Sequence, residues 1–453
     1  MMDVKNRHIV IAGGARSGVA VALLLKKQGA SVFVSDAGTI SDEMEQRLSE
    51  AQILYEQNGH TEVATNGEFL VISPGIPSTS PIAQAYQTSN KKIYSEVEVA
   101  SWFNENRMIA VTGSNGKTTV VNWMAHIWKT AGKAHQTAGN IGTAFSELAG
   151  NVSPNDDLLL EISSFQLDHI STFCPDVSMI LNITPDHLDR YQHSFEQYAT
   201  SKYRIAENQN SDHWFIYNAD DPLLQSFSQT LSNKSTSPRM LAFSIEREVE
   251  QGIHLKDGQL ILTFDQKKQP LMEMKNVGLP GKHNLRNGMA AALAARASEI
   301  KNEIIRECLE SFEGVEHRLE QVWNFKGVQF VNDSKATNIN AVWFALDSYD
   351  VPIVLILGGR DKGNNYLDLE RQLLKKVHTV IALGEAKQAI KSQLASVVPY
   401  ILEAESMKEA VKLAQKQAKR GEVVLLSPAC ASFDMFENYE DRGKQFKQAV
   451  FEL

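Results

Sequence analysis

Residues 108–119, MIAVTGSNGKTT, constrain this chain more than any other segment. An apolar strand runs into a glycine-bearing loop, and the loop opens a helix. That order is the first half of a parallel strand–helix–strand unit, so the chain must build an open α/β sheet. Backbone N–H groups of such a loop wrap phosphate oxygens, and the helix N-terminus adds a partial positive charge. Lys117 would neutralise the outer phosphates, and the Thr118 hydroxyl would coordinate Mg²⁺. Only Ser114 and Asn115 separate Gly113 from Gly116-Lys117, which is shorter than the standard spacing. An ordinary tight strand-to-helix turn is the alternative.

The same alternation recurs along the chain, and 453 residues at ~150 per domain suggest about three domains. The expected boundaries are 1–95, 96–312 and 313–453. The first and third domains read as Rossmann-like, and the central one as a mostly parallel sheet with a small antiparallel part. In the first domain, strands are expected at 8–12, 31–35 and 69–72, with a helix over 19–28. In the second, strands are expected at 108–112, 158–162, 177–183 and 214–217, period-2 antiparallel strands between 234 and 274, and a helix over 281–297. In the third, strands fall at 328–331, 353–357, 379–383 and 423–426. Each polar, glycine-bearing cluster follows a strand, the edge at which open α/β sheets bind ligands.

Forty-five Lys and Arg stand against 54 Asp and Glu, a net charge of −9. This argues against general nucleic-acid binding, which needs a basic footprint. Cys174, Cys308 and Cys430 are too scattered for a disulfide framework or paired-cysteine zinc site, which points to a reducing compartment. There is no signal-type segment and no apolar run near ~20 residues, so a soluble cytoplasmic protein without membrane contact is expected.

Beyond the phosphate loop the local signals are weaker. Gly13, Ala15 and Gly18 keep G-x-G-x-x-G spacing with alanine in the middle, and Asp36 ends the next strand. A carboxylate there could accept from ribose hydroxyls or a base N–H. A nucleotide site and a tight turn that binds nothing both remain open, and a nicotinamide cofactor is one form of the first. The Ser73-Pro74-Gly75 turn could offer N–H groups to a diphosphate or simply redirect the chain. Glu161 ends a buried apolar strand, where an unpaired carboxylate would be costly. His187 follows another strand; a loop histidine is more often structural, and Mg²⁺ prefers oxygen. Lys202 sits on an expected helix and reads locally as a solvated surface lysine. In the third domain, polar clusters follow three strands at 332–338, 358–363 and 427–434, and their common edge favours a site for a charged ligand, with helix caps the alternative for some of these residues.

Taken together, TGSNGKTT, AGNIG, LEISSFQL, NITPDHLDR, SKYRIAENQ, GKHNLRN, VEHRLE, NDSKATN, GGRDKG and SPACASFDMFENYEDRG resemble the Mur ligase family of peptidoglycan synthesis. The resemblance spans nearly the whole chain, and the short phosphate loop is the family's own form. The N-terminal glycine turn and the long final motif look most like the D-glutamate-adding branch. The resemblance implies a ligase that joins D-glutamate to UDP-N-acetylmuramoyl-L-alanine at the expense of ATP, through an acyl phosphate, in work that serves cell shape and division.

It also implies roles. The UDP sugar would meet Ser17, Asp36, Ser73, Pro74, Gly75, Asn140 and His187. ATP would meet Gly113, Ser114, Asn115, Gly116, Lys117, Thr118, Thr119, Asn287, Arg318 and Asp333. Two Mg²⁺ ions, or Mn²⁺ in their place, would be held by Thr118, Glu161, His187 and Lys202, the last as a carbamate formed with CO₂. Catalysis would rest on Lys117, Glu161, His187 and Lys202. D-Glutamate would meet Thr337, Lys362, Ser432, Phe433 and Tyr439, where Phe433 and Tyr439 replace the Leu and Phe associated with the family. A monomer is expected.

Three rival functions stand beside this one. Another ligase of the same fold would add L-alanine, L-lysine or a diamino acid, or extend folate. A nicotinamide-dependent oxidoreductase would rest on the N-terminal turn alone and leave TGSNGKTT unexplained. A non-catalytic nucleotide-binding protein would bind ATP without turning it over.

Overall fold

The structure is a computed structural model and describes residues 2–140, 142–361 and 363–453. Its strands form three sheets. The first contains β1 (His8–Ala12), β2 (Ser31–Ser35), β3 (Leu54–Glu56), β4 (Phe69–Ile72) and β5 (Lys92–Ser95), all parallel, in the order β3-β2-β1-β4-β5. The chain leaves β1 to build one side of the sheet and returns at β4 to build the other. The crevice where this reversal occurs opens at the carboxyl ends of β1 and β4, where Gly13 and Ser73 lie.

The second sheet contains β6 (Met108–Thr112), β7 (His135–Gly139), β8 (Asp157–Glu161), β9 (Val177–Ile180), β10 (Trp214–Asn218), β11 (Arg239–Ser244), β12 (Gly252–Lys256), β13 (Gln259–Phe264) and β14 (Lys267–Glu273). Its order is β14-β13-β12-β11-β10-β9-β6-β8-β7. Pairing is parallel from β12 through to β7. Only β12–β13 and β13–β14 are antiparallel. The antiparallel part is thus confined to the end of the 234–274 stretch, and β11 joins the parallel portion. Strand β6 lies between β9 and β8, so the phosphate-type loop sits at this sheet's reversal point.

The third sheet contains β15 (Glu320–Phe325), β16 (Val328–Asn332), β17 (Ile353–Gly358), β18 (Val377–Leu383), β19 (Tyr400–Ala404) and β20 (Val423–Leu426), in the order β15-β16-β20-β17-β18-β19. It is parallel except for the β15–β16 hairpin. Central strands of all three sheets are continuous apolar runs buried on both faces, as in FLVI of β4 and VVLL of β20. Helices on both sides of a parallel sheet require such runs in place of alternation. Residues 181–183 leave β9 and form the loop beyond it, so that strand ends earlier than its apolar sequence suggests.

Two compact units result: Met1–Val277 with Arg286–Ser311, and Gly278–Leu285 with Phe312–Leu453. The first unit holds the first two sheets. Their join is the helix Glu96–Ser101, which starts where β5 ends. Glu96 and Glu98 are 1% and 0% exposed. Glu96 accepts the Ser146 N–H at 2.6 Å. Glu98 accepts the N–H groups of Ser171, Thr172 and Phe173, the Thr172 hydroxyl and the Trp102 indole N–H. Several donors offset the burial of Glu98, whereas burial pushes the Glu96 carboxyl up from its usual pKa. Among the described residues no helix is long and apolar enough to cross a membrane.

Candidate functional site

The site of the first unit is built on the loop after β6. Gly113 and Gly116 have φ of +151° and +90°, a region that glycine enters without a Cβ penalty. Gly116 caps the helix Lys117–Thr130, and a Cβ at Gly116 would strike the Asn287 amide oxygen. Residues just beyond β9 brace the loop from beneath. Asn115 N–H donates to the Asn182 side chain at 2.9 Å, and the Asn182 amide returns a bond to the Asn115 carbonyl at 3.0 Å. The Ser114 hydroxyl lies 2.8 Å from the Thr184 carbonyl and 2.9 Å from the Tyr198 hydroxyl.

Charged groups of both signs meet at this loop. Lys117 Nζ donates to the Gly113 carbonyl at 2.7 Å and the Ser114 carbonyl at 3.1 Å. Lys202 Nζ donates to the same Gly113 carbonyl at 3.0 Å. On the opposite side, the Thr118 hydroxyl donates to Glu161 at 2.8 Å, and the Asn140 amide donates to the other carboxylate oxygen at 3.0 Å. Glu161 is 2% exposed and forms no ion pair among the described residues. Its two oxygens, beside the Thr118 hydroxyl, are hard donors of the kind that suits a divalent cation such as Mg²⁺.

Lys202 overturns the surface reading. It lies on the helix Phe195–Tyr203 but is only 2% exposed, with its ammonium 4.6 Å from the centre of the Tyr198 ring. Burial, and after it the Lys117 charge, hold its pKa well below that of an ordinary lysine. A lysine in such a place keeps a larger neutral, nucleophilic fraction at a given pH. His187 begins the short helix Leu188–Tyr191 with a left-handed φ of +51°. Its ring lies edge-on to Phe165, with centroids 5.1 Å apart.

At the first sheet, the N-terminal turn is the close-approach type. A Cβ at Gly18 would overlap the Gly13 carbonyl, so only glycine fits, while Ala15 takes an extended conformation that its methyl allows. Asp36 accepts the Gly14 N–H at 2.6 Å and the Gly38 N–H at 2.8 Å, fastening the ends of β1 and β2 together. Ser17 lies in the first turn of the helix Arg16–Lys27. Ser73 is 8% exposed, and its hydroxyl, set against Gly13 and Gly18, has no hydrogen-bond partner among the described residues. Pro74 and Gly75 continue from it. Gly13, Ser17, Asp36 and Ser73 to Gly75 therefore surround one crevice mouth.

In the second unit, Asp333 follows β16 and is 7% exposed. It accepts the Ser427 hydroxyl at 2.8 Å and the Leu319 N–H at 3.3 Å. Burial pushes its pKa up to about 7, against the pull of Ser427 and then of Arg318. Between its unfolded value near 4 and 7, the folded protein keeps a proton that the unfolded chain releases, so stability falls as pH rises through that window. Thermal unfolding of Asp333→Asn should lose less midpoint than wild type between pH 5 and pH 8. Parallel loss in both proteins would refute the assignment.

Arg442 is fully buried and donates to Ser334 and to the Cys430 carbonyl, tying the loop after β16 to the loop after β20. Thr337 and Ser432 lie on these two loops, Ser432 at 2% exposure and Phe433 at 62%. Tyr439 opens the helix Tyr439–Phe451 with its ring edge-on to His317. Lys362 lies outside the described residues.

Sequence reasoning did not single out Asn182, Tyr198, Phe165, Arg190 or Arg442. Tyr198 stands four residues before Lys202, and on a helix that spacing stacks two side chains. That signal was present. The others are brought in by contacts distant in sequence.

Three family models match the chain: MurD N-terminal domain over residues 9–82, Mur ligase middle domain over 111–295, and Mur ligase, glutamate ligase domain over 317–430. A protein of Salinibacter ruber named UDP-N-acetylmuramoylalanine--D-glutamate ligase is 45% identical, with 99% of this chain and 98% of the relative covered. Proteins of the same name from Christiangramia forsetii and Porphyromonas gingivalis are 44% and 42% identical, over 99% and 100% of this chain and 100% of each relative. Among solved structures, a pseudomurein peptide ligase type C from Methanothermus fervidus aligns with TM-score 0.60 at 18% identity, covering 99% of this chain and 100% of that one. A UDP-N-acetylmuramate-alanine ligase from Thermotoga maritima aligns at 0.59 and 17%, with the same coverage. These two share the three-domain α/β fold.

Proposed function

The chain belongs to the Mur ligase family, and on that premise we propose that its site makes an amide bond through an acyl phosphate. It is an ATP-dependent ligase of peptidoglycan precursor synthesis that adds D-glutamate to UDP-N-acetylmuramoyl-L-alanine. One observation carries the mechanism: Lys117 and Lys202 converge on the Gly113 carbonyl while Thr118 holds the buried Glu161 across the same loop.

The residues divide the work. Residues Gly113 to Thr119 and Asn287 would hold the triphosphate, with the helix N-terminus and Lys117 offsetting its charge. Ser17, Asp36, Ser73, Pro74, Gly75, Asn140 and His187 would hold the UDP sugar. Arg318 and Asp333 are assigned to ATP, and Thr337, Lys362, Ser432, Phe433 and Tyr439 to D-glutamate. A carboxylate oxygen of the sugar-borne alanine attacks the terminal phosphorus, and the bond to ADP breaks. The amine of D-glutamate then attacks the acyl carbon, loses a proton, and phosphate leaves. Holding three anionic reactants together supplies much of the rate, since effective molarities of about 10⁵–10⁸ M are attainable in such sites.

Thr118, Glu161 and His187 would hold two Mg²⁺ ions, which supply charge neutralisation for the transferring phosphoryl group. Lys202 completes that set when its neutral amine adds to CO₂, with loss of a proton, and becomes an anionic oxygen donor. The reading places a monomeric enzyme in the cytoplasm.

Phosphate release from ATP, measured with UDP-N-acetylmuramoyl-L-alanine and a panel of amino acids, tests this. D-Glutamate should be the substrate used. Turnover with L-lysine but not D-glutamate would reject the acceptor assignment, and no turnover by folded protein would favour a nucleotide-binding role without catalysis.

A further inference from the structure

Arg190 lies three residues beyond His187 in the second sheet's loop, yet its bonds go to the first sheet. One guanidinium nitrogen donates to the Pro74 carbonyl at 2.9 Å and the Gly75 carbonyl at 3.1 Å, and another donates to the Ile76 carbonyl at 2.9 Å. The planar fork of arginine holds several N–H donors in a fixed geometry, which suits the three successive carbonyls of one turn. The guanidinium also lies over the Phe165 ring at 4.1 Å. Phe165 meets the His187 ring at 5.1 Å and stacks with Tyr191 at 6.0 Å. A continuous path of contacts therefore runs from the Pro74–Ile76 backbone through Arg190 and Phe165 to His187.

Arg190 has no carboxylate partner at hydrogen-bond distance among the described residues, so its placement is not that of a surface ion pair. A stacked, partly buried cation bonded to three carbonyls fixes a turn whose own internal bond is the Ile76 N–H to the Ser73 carbonyl. The Ser73 N–H to the Ala12 carbonyl holds the turn on one side and the Ser80 N–H to the Pro77 carbonyl on the other, so the clamp acts on the three carbonyls between them.

We propose that Arg190 is a positioning residue which sets the UDP-sugar turn at Ser73–Gly75 in register with His187. It thereby fixes where the acceptor carboxylate stands relative to the phosphoryl group. This rests on the functional reading above, because the acceptor is held by the first sheet and the phosphate by the second. A register error of about 1 Å between reactants can cost ~10²-fold in rate.

Steady-state kinetics of Arg190→Ala, Arg190→Lys and Phe165→Leu test it. Arg190→Ala should raise KM for UDP-N-acetylmuramoyl-L-alanine by ~10-fold, the worth of charge-assisted bonds, and lower kcat by ~10²-fold. KM for ATP and the unfolding midpoint should stay near wild type. Arg190→Lys should regain part of the affinity for the UDP sugar, because an ammonium still bonds one carbonyl. Phe165→Leu should lower kcat with a smaller rise in that KM than Arg190→Ala gives, since the three carbonyl bonds stay while the ring contacts with Arg190 and His187 are lost. Unchanged kcat in Arg190→Ala or Phe165→Leu overturns the proposal. So does loss of affinity for all three substrates together with a lower unfolding midpoint, which would mark a merely structural arginine. If wild-type protein fails to use these substrates, the functional reading fails. If wild type succeeds and the variants match it, only the present inference fails.

Discussion

Alanine in place of Lys117 should cut ATP turnover by about 10³-fold or more, the scale of losing a charged contact to a transferring phosphoryl group. The ammonium lies 2.7 Å from one loop carbonyl and 3.1 Å from the next, at the N-terminus of the helix that would receive the phosphates. Lys202 does not replace it, because it approaches the same carbonyl from a fully packed position. UDP-sugar binding, measured by calorimetry without ATP, should stay within about twofold of wild type, because the residues assigned to the sugar do not include Lys117. The crevice at Gly13 and Ser73 belongs to a different sheet. Equal loss of sugar binding and ATP turnover would refute the allocation of the two ligands.

The second large effect is at Lys202. Lys202→Ala should be nearly inactive, by about 10³-fold, and partly rescued by short carboxylates such as acetate. Truncation leaves space beside Tyr198, the Gly113 carbonyl and the Lys117 ammonium, and a small anion would restore the oxygen donor that the carbamate provides. Rescue should be incomplete, because a free ion lacks the effective concentration of a tethered one. Protein equilibrated with ¹³C-labelled CO₂ should give a carbamate carbon resonance that Lys202→Ala lacks. Full activity of the variant without added carboxylate, or a labelled resonance that persists in it, would remove the carbamate from the mechanism.

The contrast between these two lysines shows what the sequence makes legible. Lys117 is announced by its neighbours: strand, glycines, hydroxyl and helix all lie within residues 108–119. Lys202 is not, because FEQYATSKY carries polar groups on most sides, and burial comes from the loop after β6 and from Tyr198. The fold follows the same rule. Buried central strands such as β1, β4, β6 and β20 are readable as apolar runs. The edge strands β3, β5, β7, β15 and β19 are not, because one side faces solvent or a helix end, and sequences such as HQTAG then suffice. Arg190 and Arg442 escape for a related reason. Their partners are mostly backbone carbonyls, those of Arg190 far along the chain, and a carbonyl has no residue type to recognise.

The two glutamates of the helix Glu96–Ser101 have a consequence for how this protein could be cut or recombined. The donors to their carboxyl groups are backbone amides and side chains at 102, 146 and 171–173, all beyond the strand that closes the first sheet. A fragment ending at Ser95 would strip those amides of their acceptors, and a chimera with a foreign N-terminal sheet would need the glutamate pair to travel with the body it plugs into. The nucleotide-sugar lobe is thus a graft rather than a cartridge: the scion can be swapped only if the rootstock keeps its own union.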